Sequence, residues 1–142
     1  MNWTNKQGLP DTILKALQAD EEGGGEMGDY RVSDLIRPPR MVVLERRHPE
    51  ALTQDVSDWA AVTQLLGRAL HYYLAVFGGV GQREGRLFCD VAGKKVTGKP
   101  DLLYNGILWD YKVTSVWHMI LGNQEEWEQQ MNAYAFLIGK DG

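Results

Sequence analysis

Residues 98–112 read GKPDLLYNGILWDYK, with Asn105-Gly106 between two short apolar runs. An Asn-Gly pair in this position is the strongest short signal for a β-hairpin, because both central residues of a type I′ turn need positive φ. A two-residue turn sets the pairing of the strands on either side of it. The resulting register places Asp101 opposite Asp110.

The same register puts Asp101, Asp110 and Lys112 on one face of the hairpin. Opposed carboxylates with Cβ atoms about 5 Å apart destabilise an antiparallel pair unless something neutralises their charge. A divalent cation would do so, and carboxylate oxygens suit Mg²⁺ or Mn²⁺. Two carboxylates, a lysine and such a metal are the groups needed for hydrolytic phosphoryl transfer. The alternative is an exposed hairpin whose aspartates face water and pair weakly with Lys99 and Lys112.

The strand pattern extends over residues 82–114, with a second turn predicted at Ala92-Gly93. We therefore expect a twisted sheet of three antiparallel strands, with room for a fourth. If Ala92-Gly93 is also a two-residue turn, Glu84 lies beside Asp101. A four-residue loop there would shift this register.

Helical spacing of apolar residues occurs before and after these strands. From Asp55 to Phe77, apolar residues recur at intervals of three and four, and Gly78-Gly79 ends the run. This periodicity predicts a long helix with an apolar stripe, flanking the sheet. Further helices are predicted at residues 11–18 and 124–138, and Pro38 and Pro39 are predicted to stop a helical turn that starts near Ser33.

A second face of the long helix contains Gly67 and His71, one turn apart, among small and polar residues. Glycine inside a helix costs about 1 kcal/mol relative to alanine, so its presence suggests that something approaches the helix closely there. One interpretation is a packing contact at Gly67 and a hydrogen-bonded histidine at the edge of the core. The other makes His71 a ligand for a metal or a phosphate.

Composition limits the class of protein. The chain has 142 residues, of which 44% are hydrophobic and 24% charged, and this is enough for one globular domain with a core. Its single cysteine, Cys89, excludes an internal disulfide framework and a zinc or iron–sulfur site built from cysteines alone. Without a leader-like start or an apolar run of roughly 18 residues, we expect a soluble cytoplasmic protein with no membrane partner.

Charge is unevenly distributed along the chain. The net charge is −4, and residues 1–30 carry two basic and six acidic side chains, so residues 31–142 are balanced. The acidic, glycine-rich residues 1–30 are therefore predicted to be a segment apart from a domain at residues 31–142. A basic cluster in that domain could contact DNA phosphates, although solvated surface charge is the commoner meaning. Its members are Arg37, Arg40, Arg46 and Arg47.

Four short motifs resemble those of the PD-(D/E)xK nuclease superfamily and of its RecB-type branch, which includes many phage exonuclease-like proteins. They follow one another along the chain in the order expected for that branch. The motifs cover residues 67–134. The matching positions are residues 67–71 (GRALH, similar to GxxxH), Pro100-Asp101 and Asp110-Tyr111-Lys112 (similar to the two halves of the signature), and residues 130–134 (QMNAY, similar to QxxxY).

This resemblance implies a restriction-endonuclease-like α/β (α+β) core, in which helices flank a central mixed or antiparallel sheet. It implies a Mg²⁺- or Mn²⁺-dependent DNA nuclease, an exonuclease by family analogy, which acts in phage or bacterial recombination, repair or DNA degradation. By the same resemblance, the metal would be held by His71, Asp101, Asp110 and the backbone carbonyl of Tyr111.

The resemblance also implies roles for four further side chains. Lys112 would orient or help to deprotonate the attacking water and stabilise the phosphate in the transition state. Glu84 resembles, more loosely, an acidic catalytic residue found near the site in relatives. Gln130 and Tyr134, four residues apart on one helix face, would order the site or touch DNA. Without the other motifs, these two are polar residues at the edge of an ordinary amphipathic helix.

The expected partners are DNA and a separate helicase or recombination protein, because the chain has no GxxxxGK[ST] phosphate loop for ATP-driven unwinding. A phage-encoded protein of this kind would act in the host cytoplasm. The alternative function is a nuclease-like fold that binds DNA or a protein partner without cutting. Relatives often continue with another strand after the QxxxY helix, so a domain truncated at its C-terminus is a further expectation.

Overall fold

A computed structural model describes residues 2–19, 28–79, 82–83, 85–122 and 124–141 of the chain. The helices in these ranges are α1 (Asp11–Gln18), α2 (Val32–Leu35), α3 (Pro39–Arg47), α4 (Trp59–Phe77), α5 (Val116–Leu121) and α6 (Glu125–Asp141). The strands are β1 (Asn2–Thr4), β2 (Tyr30–Arg31), β3 (Thr53–Asp55), β4 (Gln82–Arg83), β5 (Leu87–Val91), β6 (Lys94–Gly98), β7 (Leu102–Tyr104) and β8 (Ile107–Trp109).

The strands in the described ranges form three small sheets, of which one is parallel, one mixed and one antiparallel. β1 and β3 pair in parallel. β6 lies between β2, to which it is parallel, and β5, to which it is antiparallel. β7 lies between β4 and β8, and both pairings are antiparallel. The fold is therefore of the mixed α+β class, as predicted, and it combines parallel and antiparallel pairings.

Both predicted two-residue turns are confirmed. Asn105 has φ 51° and Gly106 has φ 73°, the left-handed region that a type I′ turn requires at both positions. β7 and β8 pair in the predicted register. The turn before them has the same geometry, with φ 50° at Ala92 and 74° at Gly93, and it joins β5 to β6. The local chain conformation thus agrees with the sequence at both hairpins.

The central predicted strand is interrupted. A single strand was expected between the two turns, but β6 ends at Gly98 and β7 begins at Leu102. Pro100 lies in the gap, and a proline has no N–H to donate to a neighbouring strand. The interruption divides the predicted sheet in two and leaves Asp101 outside the strand pairing.

Two helix predictions also need correction. Asp55 ends β3 and does not begin the long helix, which starts at Trp59 after Asp58 as its N-cap. Pro38 and Pro39 do not simply stop a helical turn, because Pro39 is the first residue of α3. Proline is favoured at a first helical position, where its missing N–H has no partner in any case.

One core cluster packs α6 against the sheet that contains β6. Its buried members are Val32, Val96, Tyr134 and Leu137. Leu108 of β8 is half-buried against the same cluster. The sheet that contains β7 and β8 therefore also packs against α6. The face of α6 that carries Tyr134 is thereby held beside the hairpin.

A second core cluster packs α1 against α4. Leu17, Val56 and Ala61 are buried in it, and the side chain of Trp3 packs on its edge. Residues 2–19, which belong to the predicted N-terminal segment, therefore pack against α4. The glycine-rich part of that segment, residues 20–27, lies outside the described residues.

The predicted apolar stripe of α4 faces solvent over much of its length in the described part of the chain. Trp59, Leu66, Tyr73 and Phe77 are 68%, 53%, 61% and 66% exposed. The periodicity located the helix correctly, but it did not identify the face that packs against the rest of the domain. Among the described residues, no helix has the length and apolar character needed to cross a membrane.

Asp55 joins β1 to β3 through its side chain. Its Oδ2 accepts hydrogen bonds from Thr4 Oγ1 at 2.7 Å and from the Lys6 N–H at 2.9 Å. Its Oδ1 accepts from Ser57 Oγ at 2.6 Å and from the Ser57 N–H at 3.0 Å. The bond from the Ser57 hydroxyl, with those from Lys6 and Thr4, holds the pKa of Asp55 far below its ordinary value of 3.8.

We expect Asp55→Asn to unfold at a lower urea concentration than the wild-type protein at pH 7. The amide nitrogen replaces one carboxylate oxygen, and it cannot accept the hydrogen bonds that this oxygen accepts. A lowered folded-state pKa contributes stability that is complete above the unfolded-state value and declines as the pH falls below it. The difference between the two urea midpoints should therefore be smaller at pH 3 than at pH 7. Equal differences at the two pH values would contradict this role of the carboxylate.

Candidate functional site

The centre of the site is a contact between α4 and the hairpin. His71 Nδ1 lies 2.9 Å from Asp101 Oδ1, and His71 Nε2 lies 3.0 Å from the backbone carbonyl oxygen of Tyr111. The carboxylate and the carbonyl are both hydrogen-bond acceptors, and a neutral imidazole has one N–H that can donate to one of them. Three of the predicted metal donors, on segments far apart in the chain, thus meet at one point.

The hairpin aligns Asp101 with Tyr111. The register of β7 and β8 is the predicted one up to the pair Leu102 and Trp109. Beyond that pair, Asp101 Oδ2 accepts a hydrogen bond of 2.6 Å from the N–H of Tyr111. The side chain of Asp101 therefore bonds to the backbone one residue past Asp110, and the predicted face-to-face contact of two carboxylates is replaced by this hydrogen bond.

The second half of the site links the hairpin to α6. Lys112 Nζ lies 2.8 Å from Asp110 Oδ2 and donates a hydrogen bond of 2.7 Å to Gln130 Oε1. Gln130 Nε2 in turn donates to the hydroxyl of Tyr134 at 2.9 Å. The predicted signature residues and the predicted QxxxY residues therefore form one continuous chain of polar contacts.

Burial and charge act together at Tyr134. Burial raises the pKa of the Tyr134 phenol, and the nearby charges of Asp110 and Asp101 raise it further, while the hydrogen bond from Gln130 acts in the opposite direction. The net pKa is raised, so the phenol stays neutral at pH 7. Its neutral hydroxyl is a fixed acceptor for the Gln130 amide, which in turn holds the Lys112 ammonium.

The donor types around Asp101 are those that a hard divalent cation accepts. The side chains of Asp101 and Asp110 are only 10% and 11% exposed, and the carbonyl of Tyr111 lies 3.0 Å from His71 Nε2. Carboxylate and carbonyl oxygens suit Mg²⁺ or Mn²⁺, and an imidazole suits Mn²⁺ better than Mg²⁺. Among the described residues, no three His, Cys, Asp or Glu side chains are close enough together to form a metal-binding group. Asp110 is paired with Lys112.

The remaining predicted site residues are placed differently. Glu84 lies outside the described residues. Arg37 forms an ion pair with Glu45, and Arg46 Nη2 lies 3.0 Å from the buried Asp34 Oδ2. Two of the four arginines predicted to contact DNA therefore pair with acidic residues in the structure.

Arg40 and Arg47, the other two members of that cluster, are exposed on α3. The members of the cluster therefore have different surroundings. Arg46 takes part in holding α2 and α3 together through Asp34, whereas Arg40 and Arg47 are placed where an external anion can reach them.

An open pocket of about 590 Å³ adjoins the site, and the sequence analysis did not predict it. It shares His71 and Asp101 with the site and is also lined by Arg68, Tyr72 and Lys99. A sequence signal for it does exist, because Arg68, Tyr72 and Ala75 follow one another on α4 at helical spacing of four and three. Its residues come from three segments, however, and their proximity depends on the packing of α1 on α4.

Neither a protein-family model nor a curated protein sequence matches the chain. Among solved structures, one described as the crystal structure of SSO0001 has a similar fold, with a TM-score of 0.61 and 22% sequence identity. The match covers 89% of this chain and 65% of that one, so this chain spans less than two thirds of the length of the structure that it matches. At this identity the similarity concerns the fold alone.

Gly98 is the close contact between the end of β6 and the α6 face that carries Tyr134. A Cβ atom at Gly98 would lie 2.8 Å from Leu137 Cδ1 and 2.9 Å from Tyr134 Cε1. We expect Gly98→Ala to lower the free energy of unfolding by about 1–3 kcal/mol, because the packed ring and leucine must move to make room. Urea unfolding monitored by tryptophan fluorescence measures this change.

Gly139→Ala in α6 is the matched control. A Cβ atom at Gly139 would meet nothing within 4 Å, so the same substitution should raise stability by up to about 1 kcal/mol through helix propensity. A Gly98→Ala variant as stable as the wild-type protein would show that the contact with Tyr134 does not constrain this position.

Proposed function

We propose that this protein is a Mg²⁺- or Mn²⁺-dependent nuclease that hydrolyses DNA phosphodiester bonds, and more specifically an exonuclease. The observation that carries the proposal is the meeting of His71, Asp101 and the Tyr111 carbonyl beside the Asp110–Lys112 pair. These are the groups that the resemblance to PD-(D/E)xK nucleases implies for metal binding and catalysis. The proposal includes a restriction-endonuclease-like core as the finer description of the α+β fold.

Metal binding would compete with an existing ion pair. In the proposed site His71, Asp101, Asp110 and the Tyr111 carbonyl hold the ion, which when bound supplies positive charge that activates water and offsets charge on the phosphate. Asp110 now faces Lys112 at 2.8 Å. If Asp110 held a cation, Lys112 would be bound less strongly to it and would lie within reach of the attacking water and the phosphate.

Gln130 would keep Lys112 in place during that exchange. Its carbonyl accepts from Lys112 Nζ at 2.7 Å, and its amide donates to the buried Tyr134 hydroxyl at 2.9 Å. The amide is thus oriented from one side by a rigid phenol and presents its oxygen to the ammonium on the other. In this proposal Gln130 and Tyr134 are positioning residues, and Lys112 is the group that acts on the water and the phosphate.

The proposal extends to the setting of the reaction. The substrate partner is DNA, with Arg40 and Arg47 as the exposed candidates for backbone phosphates. A separate helicase or recombination protein would supply unwinding, and the host or bacterial cytoplasm would be the compartment. Glu84 remains a candidate catalytic carboxylate.

Cleavage assays test the proposal directly. We expect the wild-type protein with Mn²⁺ or Mg²⁺ to digest linear duplex DNA that has unpaired ends and to leave covalently closed circles intact, with no digestion in a chelator. Asp110→Ala and Lys112→Ala should each lower the rate by at least about 100-fold, the usual scale for a group that acts on the transferred proton or the developing charge.

Two matched controls separate the site from general charge. Asp90→Ala and Lys94→Ala change an exposed carboxylate and an exposed ammonium on the β5–β6 hairpin, and they should leave the rate unchanged. Nicked circles would make the enzyme an endonuclease. The absence of metal-dependent cleavage of either DNA by the wild-type protein would overturn the proposed function.

A thermal titration distinguishes a nuclease from a protein of the same fold that only binds DNA. A metal that binds the folded state at a hundred times its Kd stabilises it by about 2.7 kcal/mol, so Mn²⁺ should raise the Tm of the wild-type protein by several degrees. Asp101→Asn should abolish that rise, whatever its own Tm without metal. Tight DNA binding with no effect of Mn²⁺ on the Tm would favour the binding protein.

A further inference from the structure

The pocket beside the candidate site is open and shares two side chains with that site. Its lining includes His71 and Asp101 of the candidate site, and Ala16 and Ala19 at the end of α1. Its volume of about 590 Å³ is within the range of roughly 300–1,000 Å³ found for small-molecule sites. A molecule held in this pocket touches the same two side chains that form the centre of the candidate site.

Small residues create the space. Ala16, Ala19 and Ala75 line the pocket without filling it, and Gly67 forms part of the floor. A Cβ atom at Gly67 would meet nothing within 4 Å. The glycine is therefore not required by close packing of the protein on itself, and its Cα faces open space in the pocket.

Arg68 forms hydrogen bonds to the end of α1. Its guanidinium Nη1 donates to the carbonyl oxygens of Leu17 at 2.8 Å and Ala16 at 3.3 Å, near the end of that helix. A helix C-terminus carries partial negative charge, which a guanidinium offsets. Arg68 thus ties α4 to the end of α1 beside the pocket.

The rim carries a phenol ring and an ammonium. Tyr72 is 70% exposed, and Lys99, in the loop between β6 and β7, is exposed as well. Aromatic rings that stack on bases, next to cations that follow the phosphates, are the two components of sequence-tolerant binding of unpaired nucleic acid. Both components lie on the border of one pocket that ends at His71 and Asp101.

We propose that this pocket is a nucleotide subsite, in which Tyr72 stacks on an unpaired base and Lys99 contacts a phosphate of the strand at the candidate site. The assignment rests on the proposed function for its purpose, but the binding itself does not require cleavage. The flat ring of Tyr72 needs the open face of a base, and inside a duplex both faces are covered by neighbouring pairs, so a base that enters the pocket is one that has left the stack. The subsite thus implies that the substrate strand is unpaired where it enters the pocket.

Binding measured in a chelator tests the subsite without turnover. The probe is a fluorescein-labelled single-stranded oligonucleotide of mixed sequence, and its Kd is read from fluorescence anisotropy. Tyr72→Ala should weaken binding about 5- to 100-fold, the range of one base–aromatic stacking contact. Tyr72→Trp should retain it, because the stacking face is preserved.

Tyr73→Ala is the matched control for the ring. Tyr73 is the next residue of α4, is 61% exposed and packs against Phe77 with ring centroids 4.8 Å apart, away from the pocket. Its removal should leave the Kd unchanged. Equal losses of affinity in Tyr72→Ala and Tyr73→Ala would overturn the assignment, since only one of the two rings lines the pocket.

The salt dependence of the Kd tests the phosphate contact. Each phosphate neutralised on a single strand adds about 0.7 to the slope of log K against log salt, so Lys99→Ala should lower the magnitude of the slope by about that amount. Lys94→Ala, an exposed lysine outside this pocket, should not change it. An unchanged slope in Lys99→Ala would remove Lys99 from the subsite.

Filling the pocket gives an independent test. Gly67→Leu places a side chain in the open space, and it should weaken binding at least about 10-fold while the helix gains propensity. Gly139→Leu makes the same change at another helical glycine with an open Cβ position and should leave the Kd unchanged. A Gly67→Leu variant that melts no lower than wild-type but binds equally well would overturn the assignment.

The two proposals fail in different ways. Wild-type protein that binds the oligonucleotide through Tyr72 but cuts no DNA with Mn²⁺ would overturn the nuclease and leave the subsite standing. If the wild-type protein cuts DNA and the Tyr72→Ala variant does so with the same KM and kcat, the subsite is overturned and the nuclease stands. Absence of any oligonucleotide binding by the wild-type protein would overturn the subsite outright.

Discussion

The carboxylate of Asp101 is the contact on which the site depends. One oxygen lies 2.9 Å from His71 on α4, and the other accepts from the N–H of Tyr111 past β8 at 2.6 Å. A single side chain thus joins the loop after β6, the long helix and the end of the hairpin. The Asp101 side chain is only 10% exposed and both of its oxygens have partners. Few other conformations would satisfy the hydrogen-bonding capacity of this carboxylate as well.

Around that contact, two core clusters hold the walls of the site. α6 packs on the sheet that contains β6, while α1 packs on α4. The hydrogen bonds through His71 connect these two packed units at the place where the pocket opens. The acidic side chains of the site are paired with basic ones: His71 faces Asp101, and Lys112 faces Asp110. Each acidic group at the centre thus has a cationic or potentially cationic neighbour within hydrogen-bond distance.

The candidate site was predictable as a set of residues but not as a set of contacts. Spacing and motif order named His71, Asp101, Asp110, Lys112 and Gln130. The hairpin register suggested that the two carboxylates oppose each other, whereas each bonds to a different partner. A register sets which residues are opposite within a paired strand, and beyond Leu102 the pairing stops. Side chains there turn to whichever donor the neighbouring elements present.

The sequence by itself determined the Asn105-Gly106 turn and the helices α1, α4 and α6, because these depend on the φ preference of Asn-Gly and on apolar spacing within a few residues. Only the tertiary structure decided that Pro100 divides the sheet, that Arg46 pairs with Asp34 and that much of the apolar stripe of α4 faces solvent. It also decided that Tyr72 and Lys99 border one pocket. Such outcomes depend on which elements pack together, and that is set by contacts between residues far apart in the chain.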